Sequence, residues 1–274
     1  MIHPIGIFDS GVGGLSVLKE IRALLPGADL LFFADQAHVP YGPRQLVEVR
    51  GFAESITRFL LEQGVEIVVV ACNTASAAAL THLRENFPST VKFVGMEPAV
   101  KPAAETTHSK IVGVLATPAT FQGRLFASVV ERFAKDVTVL EQTCPGLVER
   151  IEAGELEGEG LRSLLAGFIR PLVENGADTL VLGCTHYPLV LPLIEQVAGP
   201  QVRVINPAPA VARQTARLWN AASRDISAAR SGELRVITTG NGKRLETMLL
   251  RLLGESGAVR ETAWNDGRLT TDPT

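Results

Sequence analysis

Short apolar runs alternate with longer amphipathic stretches along most of this 274-residue chain. Runs at 5–8, 30–34, 67–71, 91–95, 111–115, 137–140, 179–182, 202–205 and 234–238 are too short for buried helices and predict buried strands. Between them, apolar positions recur with helical spacing at 15–25, 43–62, 75–86, 121–133, 161–174 and 189–197. Alternation of strand and helix makes βαβ units, whose strands lie parallel and are covered on both faces. The predicted fold class is α/β, with doubly wound parallel sheets.

The pattern also repeats. Gly64-Val-Glu-Ile-Val-Val-Val-Ala-Cys72-Asn73-Thr74 is matched by Gly176-Ala-Asp-Thr-Leu-Val-Leu-Gly-Cys184-Thr185-His186, and each Gly precedes its Cys by eight residues. Upstream, Gly6-Ile-Phe-Asp9-Ser10 corresponds to Gly113-Val-Leu-Ala116-Thr117, and Phe59-Leu-Leu-Glu-Gln-Gly64 to Pro171-Leu-Val-Glu-Asn-Gly176. The chain therefore divides into pseudo-symmetric halves at about 1–98 and 99–206. The remainder, 207–274, has helical patterns at 209–222 and 243–253 and one strand; it is too small to stand alone and is expected to return to the first half. Beyond Gly254 periodicity fades, and the segment to Thr274 reads as frayed.

Composition narrows the function. A formal net charge of −3 leaves no electrostatic footprint for nucleic acid. No apolar run approaches the roughly 20 residues of a membrane-spanning helix. The start, Met1-Ile-His-Pro, lacks the basic and apolar regions of a secretory signal. Three widely spread cysteines suit a reducing compartment better than a disulfide framework. The expectation is a cytoplasmic protein with no membrane and no nucleic-acid partner.

Ligands of open parallel sheets bind beyond the C-terminal strand ends, which is where Asp9, Cys72, Thr117 and Cys184 fall. A thiol from each half, facing the other across a cleft, could serve as proton acceptor and proton donor on opposite sides of one carbon. His186, two residues after Cys184, can turn into the same cleft. Asp9 to Gly14 reads as a tight strand-to-helix loop whose Asp or Ser caps the helix and whose free amides could hold a carboxylate. It is not a dinucleotide fingerprint, because the third Gly of that motif would fall on Ser16. A zinc site built from Cys72, Cys184 and His186 lacks closely spaced ligand pairs. None of the six lysines stands at a strand end for a pyridoxal Schiff base. Glu152 by default is an exposed helix-end carboxylate, and Cys144 by default is structural.

Four motifs together carry a family resemblance: Gly6 to Gly14, Ala34-Asp35 with Pro40-Tyr41-Gly42, Ala71-Cys72-Asn73-Thr74-Ala75-Ser76, and Gly183-Cys184-Thr185-His186-Tyr187-Pro188-Leu189. With Cys144-Pro-Gly-Leu-Val and Thr239-Gly240, they resemble the glutamate racemases of the aspartate/glutamate racemase superfamily over almost the whole chain. Where many relatives read Gly-Thr-x-x-Thr, this chain has Ala116-Thr117-Pro118-Ala119-Thr120, and both threonines survive. The resemblance implies cofactor-independent interconversion of L- and D-glutamate for peptidoglycan synthesis by a homodimer. It assigns acid/base roles to Cys72 and Cys184 and assisting roles to Asp9, Glu152 and His186. It also implies that Ser10, Tyr41, Gly42, Asn73, Thr74, Thr117, Thr120 and Thr185, with Asp9 and His186, hold the substrate. A racemase or decarboxylase for aspartate, a hydantoin or a malonate, a two-lobed binding protein, and a metal or redox protein are the alternatives the residues leave open.

Overall fold

A computed structural model describes residues 3–221 and 231–269. Its strands form two parallel sheets and one small hairpin. The larger sheet contains β1 (Ile5–Asp9), β2 (Leu30–Ala34), β3 (Ile67–Val70), β4 (Lys92–Gly95), β9 (Leu234–Thr238) and β10 (Val259–Glu261), ordered β10-β9-β2-β1-β3-β4. The smaller contains β5 (Ile111–Ala116), β6 (Thr138–Thr143), β7 (Thr179–Gly183) and β8 (Arg203–Ile205), ordered β6-β5-β7-β8. The run β2-β1-β3-β4 of the first sheet thus has the same order as the second, so the repeat in sequence is a repeat in topology.

The repeated glycines have a local cause. Gly64 and Gly176 follow the helices Leu46–Glu62 and Glu159–Glu174 and adopt φ values of +81° and +90°. This left-handed conformation suits Gly, which has no Cβ to collide with the chain, and it ends a helix by capping its last carbonyls. The amides of Val65 and Ala177 accordingly return to Leu60 and Leu172 carbonyls at 3.2 and 3.1 Å. Each cap then delivers the chain straight into β3 or β7, whose C-terminal ends present the two cysteines.

One contiguous apolar core joins residues beneath both sheets, including Ile7, Phe32, Leu115, Ile151 and Leu182. In the return segment, β9 pairs with β2 and the helix Ala208–Ala221 packs on Leu15–Leu24. The frayed reading of the tail needs correction. Val259–Glu261 extends the larger sheet beside β9, and β11 (Trp264–Asn265) pairs with β12 (Arg268–Leu269). Strands of two and three residues carry no readable alternation, so their pairing was invisible in sequence; Ala222 and residues 270–274 lie outside the described residues. The helix expected at 121–133 is two, Pro118–Gln122 and Arg124–Phe133, because Gly123 between them is extended. The pattern at 189–197 resolves into a 3-10 turn, Tyr187–Val190, followed by the helix Leu191–Ala198. Among the described residues no helix is long and apolar enough to cross a membrane.

Candidate active site

In each half the strand order reverses between the first and third strands, at β1/β3 and at β5/β7. Residues just beyond such a switch point are spread apart and open to a ligand. Asp9 and Cys72 occupy the first switch point and Thr117 and Cys184 the second, and the two face one another. Ser10, Tyr41, Gly42, Cys72, Asn73, Thr74, Thr117, Cys184, Thr185 and His186 line a single hollow of about 10 Å³. Asp9, Thr120 and Glu152 do not line it but hydrogen-bond to residues that do, namely Thr185, Thr117 and His186.

The two sulfurs have different company. Cys72 caps the helix Asn73–Asn86, its Sγ accepting the Ala75 amide at 3.4 Å, and lies 4.0 Å from Ser10 Oγ. Burial and the negative charge of Asp9 push its thiol well above the ordinary range, against the Ala75 hydrogen bond. Cys72 is therefore held as S–H. Cys184 Sγ lies 3.8 Å from His186 Nδ1, and His186 Nε2 is 2.6 Å from Glu152 Oε1. Burial alone would lower His186, but its bonds to Cys184 and Glu152 and their charges outweigh that and raise it well above the usual imidazole range. Burial likewise opposes the Glu152 charge, and His186, the Val12 amide and Gln36 reverse it, holding that carboxyl below its ordinary value. An imidazolium bound to a carboxylate thus stands beside Cys184.

Glu152 is not the exposed helix end that its sequence suggested. It closes the helix Leu147–Glu152 with only 9% of its surface accessible and crosses to the other half, accepting from Val12 N at 2.7 Å and Gln36 Nε2 at 3.2 Å. The loop amides expected to await a ligand carboxylate are also engaged by the protein's own, because Gly14 N donates to Asp9 Oδ2 at 2.7 Å. Burial raises Asp9, opposed by His186, Cys72 and the Gly14 amide.

Further contacts seal the opposite rim. Thr74 of the first half meets Thr117 and Thr120 of the second at 2.8 and 3.5 Å, and the Ala119 amide donates to Gly42 O at 3.2 Å. Two donors and acceptors are left over: the Asn73 side chain is 2% accessible, and neither its Oδ1 nor its Nδ2 has a partner. Buried amides are rarely left unbonded, because losing water without a replacement costs about 1–3 kcal/mol per group. Asn73 is thus a buried polar side chain of the hollow that the protein's own groups leave unsatisfied.

A family model for Asp/Glu/hydantoin racemases matches residues 5–215. The chain belongs to this racemase family. Over 91% of its length, and 92% of the relative's, this racemase is 50% identical to the glutamate racemase of Roseiflexus sp. (strain RS-1). It is 49% identical to that of Pseudomonas aeruginosa (strain UCBPP-PA14), over 93% and 96% of the two chains. The structure of Escherichia coli glutamate racemase in complex with L-glutamate and the activator UDP-MurNAc-Ala superposes with a TM-score of 0.82, at 32% identity over 95% of this chain and 98% of that one.

Beside the site of this racemase lies a second hollow of about 160 Å³, and Pro40, Gly42, Thr117 and Val148 border both. Cys144 lines it; burial pushes that thiol up to about 12, against a hydrogen bond from Tyr187, which suits the structural role expected of it. Among the described residues no group of three or more His, Cys, Asp or Glu is placed to hold a metal ion. Sequence reasoning passed over Asp35 and Gln36 as site residues. Their signal was position, since they follow β2 as Asp9 and Ser10 end and follow β1. Gln36 Nε2 supports Glu152, while its Oε1 accepts from Thr238 Oγ1 at 2.9 Å.

Proposed function

We propose that this chain is a glutamate racemase that interconverts L- and D-glutamate with two thiols as acid and base. The observation that carries the reading is the pair Cys72 and Cys184, at equivalent ends of duplicated strands, opening onto one hollow. Relatives sharing about half of its residues over nine-tenths of its length are glutamate racemases, and they supply the substrate. The enzyme is an isomerase.

In the form described, Cys72 carries a proton and His186 offers its own to the Cys184 sulfur. Starting from Cys184 as the thiolate, with the His186 N–H directed at its sulfur, that sulfur takes the α-proton of L-glutamate. The C–H bond breaks and its electron pair stays on the α-carbon, delocalised into the carboxylate. Cys72 then gives its proton to the opposite face, so Cys184 ends as thiol and Cys72 as thiolate, ready for D-glutamate. Charge growing on the substrate carboxylate needs donors already in place and water excluded. Asn73, the Thr74, Thr117 and Thr185 hydroxyls, Ser10 and the Tyr41–Gly42 loop are the groups that meet it. In this reading the product D-glutamate serves peptidoglycan synthesis, and the enzyme is a cytoplasmic homodimer.

The test is exchange in deuterated water with Cys72→Ser and Cys184→Ser. Each variant loses on the order of 10²–10⁴ in kcat/KM, the scale of one positioned acid or base. Because enantiomers have equal free energy, the loss in kcat/KM must be the same in both directions. Unimpaired racemisation by either variant removes the two-thiol mechanism, and retention of glutamate's rotation by the native enzyme removes the substrate.

A further inference from the structure

The return segment reaches the site through a buried carboxylate to which proton transfer assigns no part. Asp35 is inaccessible to solvent and is met by four partners. On Oδ2, the Tyr41 hydroxyl donates at 2.6 Å and His38 Nδ1 lies at 2.9 Å. On Oδ1, Thr239 Oγ1 donates at 2.8 Å and Trp264 Nε1 at 2.7 Å. A carboxylate has about four lone-pair positions, so this one is filled and fixed from both sides. Two of its four partners come from outside the duplicated halves, Thr239 at the end of β9 and Trp264 at the start of the hairpin.

These contacts are arranged as a brace. The Trp264 ring stands edge-on to His38 at 5.0 Å and tilted against Phe52 at 5.6 Å, while His38 stacks on Phe52 at 3.9 Å. Thr239 Oγ1 also accepts the Ala37 amide at 3.0 Å, pinning the loop that leads from β2 to Tyr41. From Asp35 the load passes to Tyr41, and with it to Gly42, whose carbonyl reaches the second half. Both residues line the hollow. The equivalent edge of the smaller sheet ends at β6, with no added strand beside it among the described residues. The brace therefore belongs to the first half alone and is not a feature of the repeat.

We propose that Trp264 and Thr239 are positioning residues of the racemase site, fixing Asp35 so that Asp35 fixes the Tyr41 hydroxyl and the Tyr41–Gly42 loop for substrate. This rests on the reading in which Tyr41 and Gly42 contact glutamate. A hairpin that only adds stability would need packing alone. Here the indole N–H is spent on the carboxylate that holds a site residue.

The experiment is a double-mutant cycle on KM and kcat between Trp264→Phe, which keeps a ring but loses the N–H, and Tyr41→Phe, with Thr239→Val as the second brace variant. Trp264→Phe is expected to raise KM roughly threefold to tenfold, with kcat changed less and the thermal midpoint little moved. In the double variant the two losses should fall short of their product, the signature of groups acting through one network. Should Trp264→Phe fold poorly, the same cycle with Thr239→Val decides. Multiplicative losses, or an unchanged KM in both brace variants beside a damaged Tyr41→Phe, would overturn the brace and leave the site reading standing. A Tyr41→Phe enzyme with native KM and kcat overturns both, because Tyr41 then does not serve the substrate.

Discussion

Cys72 and Cys184 are equivalent by position but not by surroundings. Asp9 stands near the first, and the Glu152–His186 pair stands beside the second, so the two matching strands present their thiols to different charged neighbours. That difference gives a test. His186, raised above its ordinary 6.5, contributes stability fully below that value and loses it as pH climbs through the raised one. Glu152, lowered from 4.5, contributes above its ordinary value and loses it as pH falls through the depressed one. Between these limits the pair is intact, and Glu152→Gln should cost roughly 3–5 kcal/mol, as expected when one partner of a buried pair is removed. Thermal melts from pH 4 to 9 should show the gap from native protein widest between about pH 4.5 and 6.5 and narrowing towards alkali. A gap independent of pH would mean that the pair is not ionic. The two thiols were readable from sequence because a repeat marks them; Glu152 entered only through the family resemblance, and its burial was not legible, since nothing within its helix says what docks against the end.

Local chemistry set most of the elements, and their boundaries failed where a single residue changed the course of the chain. Gly123 splits a helical pattern, and Cys72 starts its helix two residues earlier than the apolar spacing indicated, which puts Asn73 and Thr74 in the first turn beside the hollow. The loop after β1 is equally constrained. A Cβ on Gly13 would run into the His186 imidazole, with Thr185 Oγ1 only 2.7 Å away. Both come from the other half, so the loop passes close enough to them that only Gly fits. Gly13→Ala is expected to cost about 1–3 kcal/mol through overpacking and to lower kcat by displacing His186. Calorimetry and initial rates measure the two effects. Native values for both would show that the loop has slack the packing does not suggest.

Between the two sheets, the site is closed more tightly than its chemistry allows. A hollow of about 10 Å³ is near the minimum for one water molecule, and glutamate cannot enter unless the cross-half contacts part. The Val12 amide on Glu152 and the Ala119 amide on Gly42 report that opening directly. They should exchange hydrogen through a local opening less costly than global unfolding. Glutamate at 100 times its Kd should then slow them by up to about 100-fold. Exchange only through global unfolding, unaffected by glutamate, would show that substrate enters without separation of the halves.

Much of this molecule was settled along the chain itself. Alternation of short apolar runs with amphipathic stretches determined an α/β fold, and recurrence of Gly, strand and Cys determined two related halves with a thiol at each switch point. Such patterns are legible because each residue's burial in a strand or helix repeats with the local backbone period. Contacts between distant segments have no such period. Glu152 meets Val12 across 140 residues and Trp264 meets Asp35 across 229, so the charge beside Cys184, the closed hollow and the brace on Tyr41 arose only when the halves and the returning tail packed together.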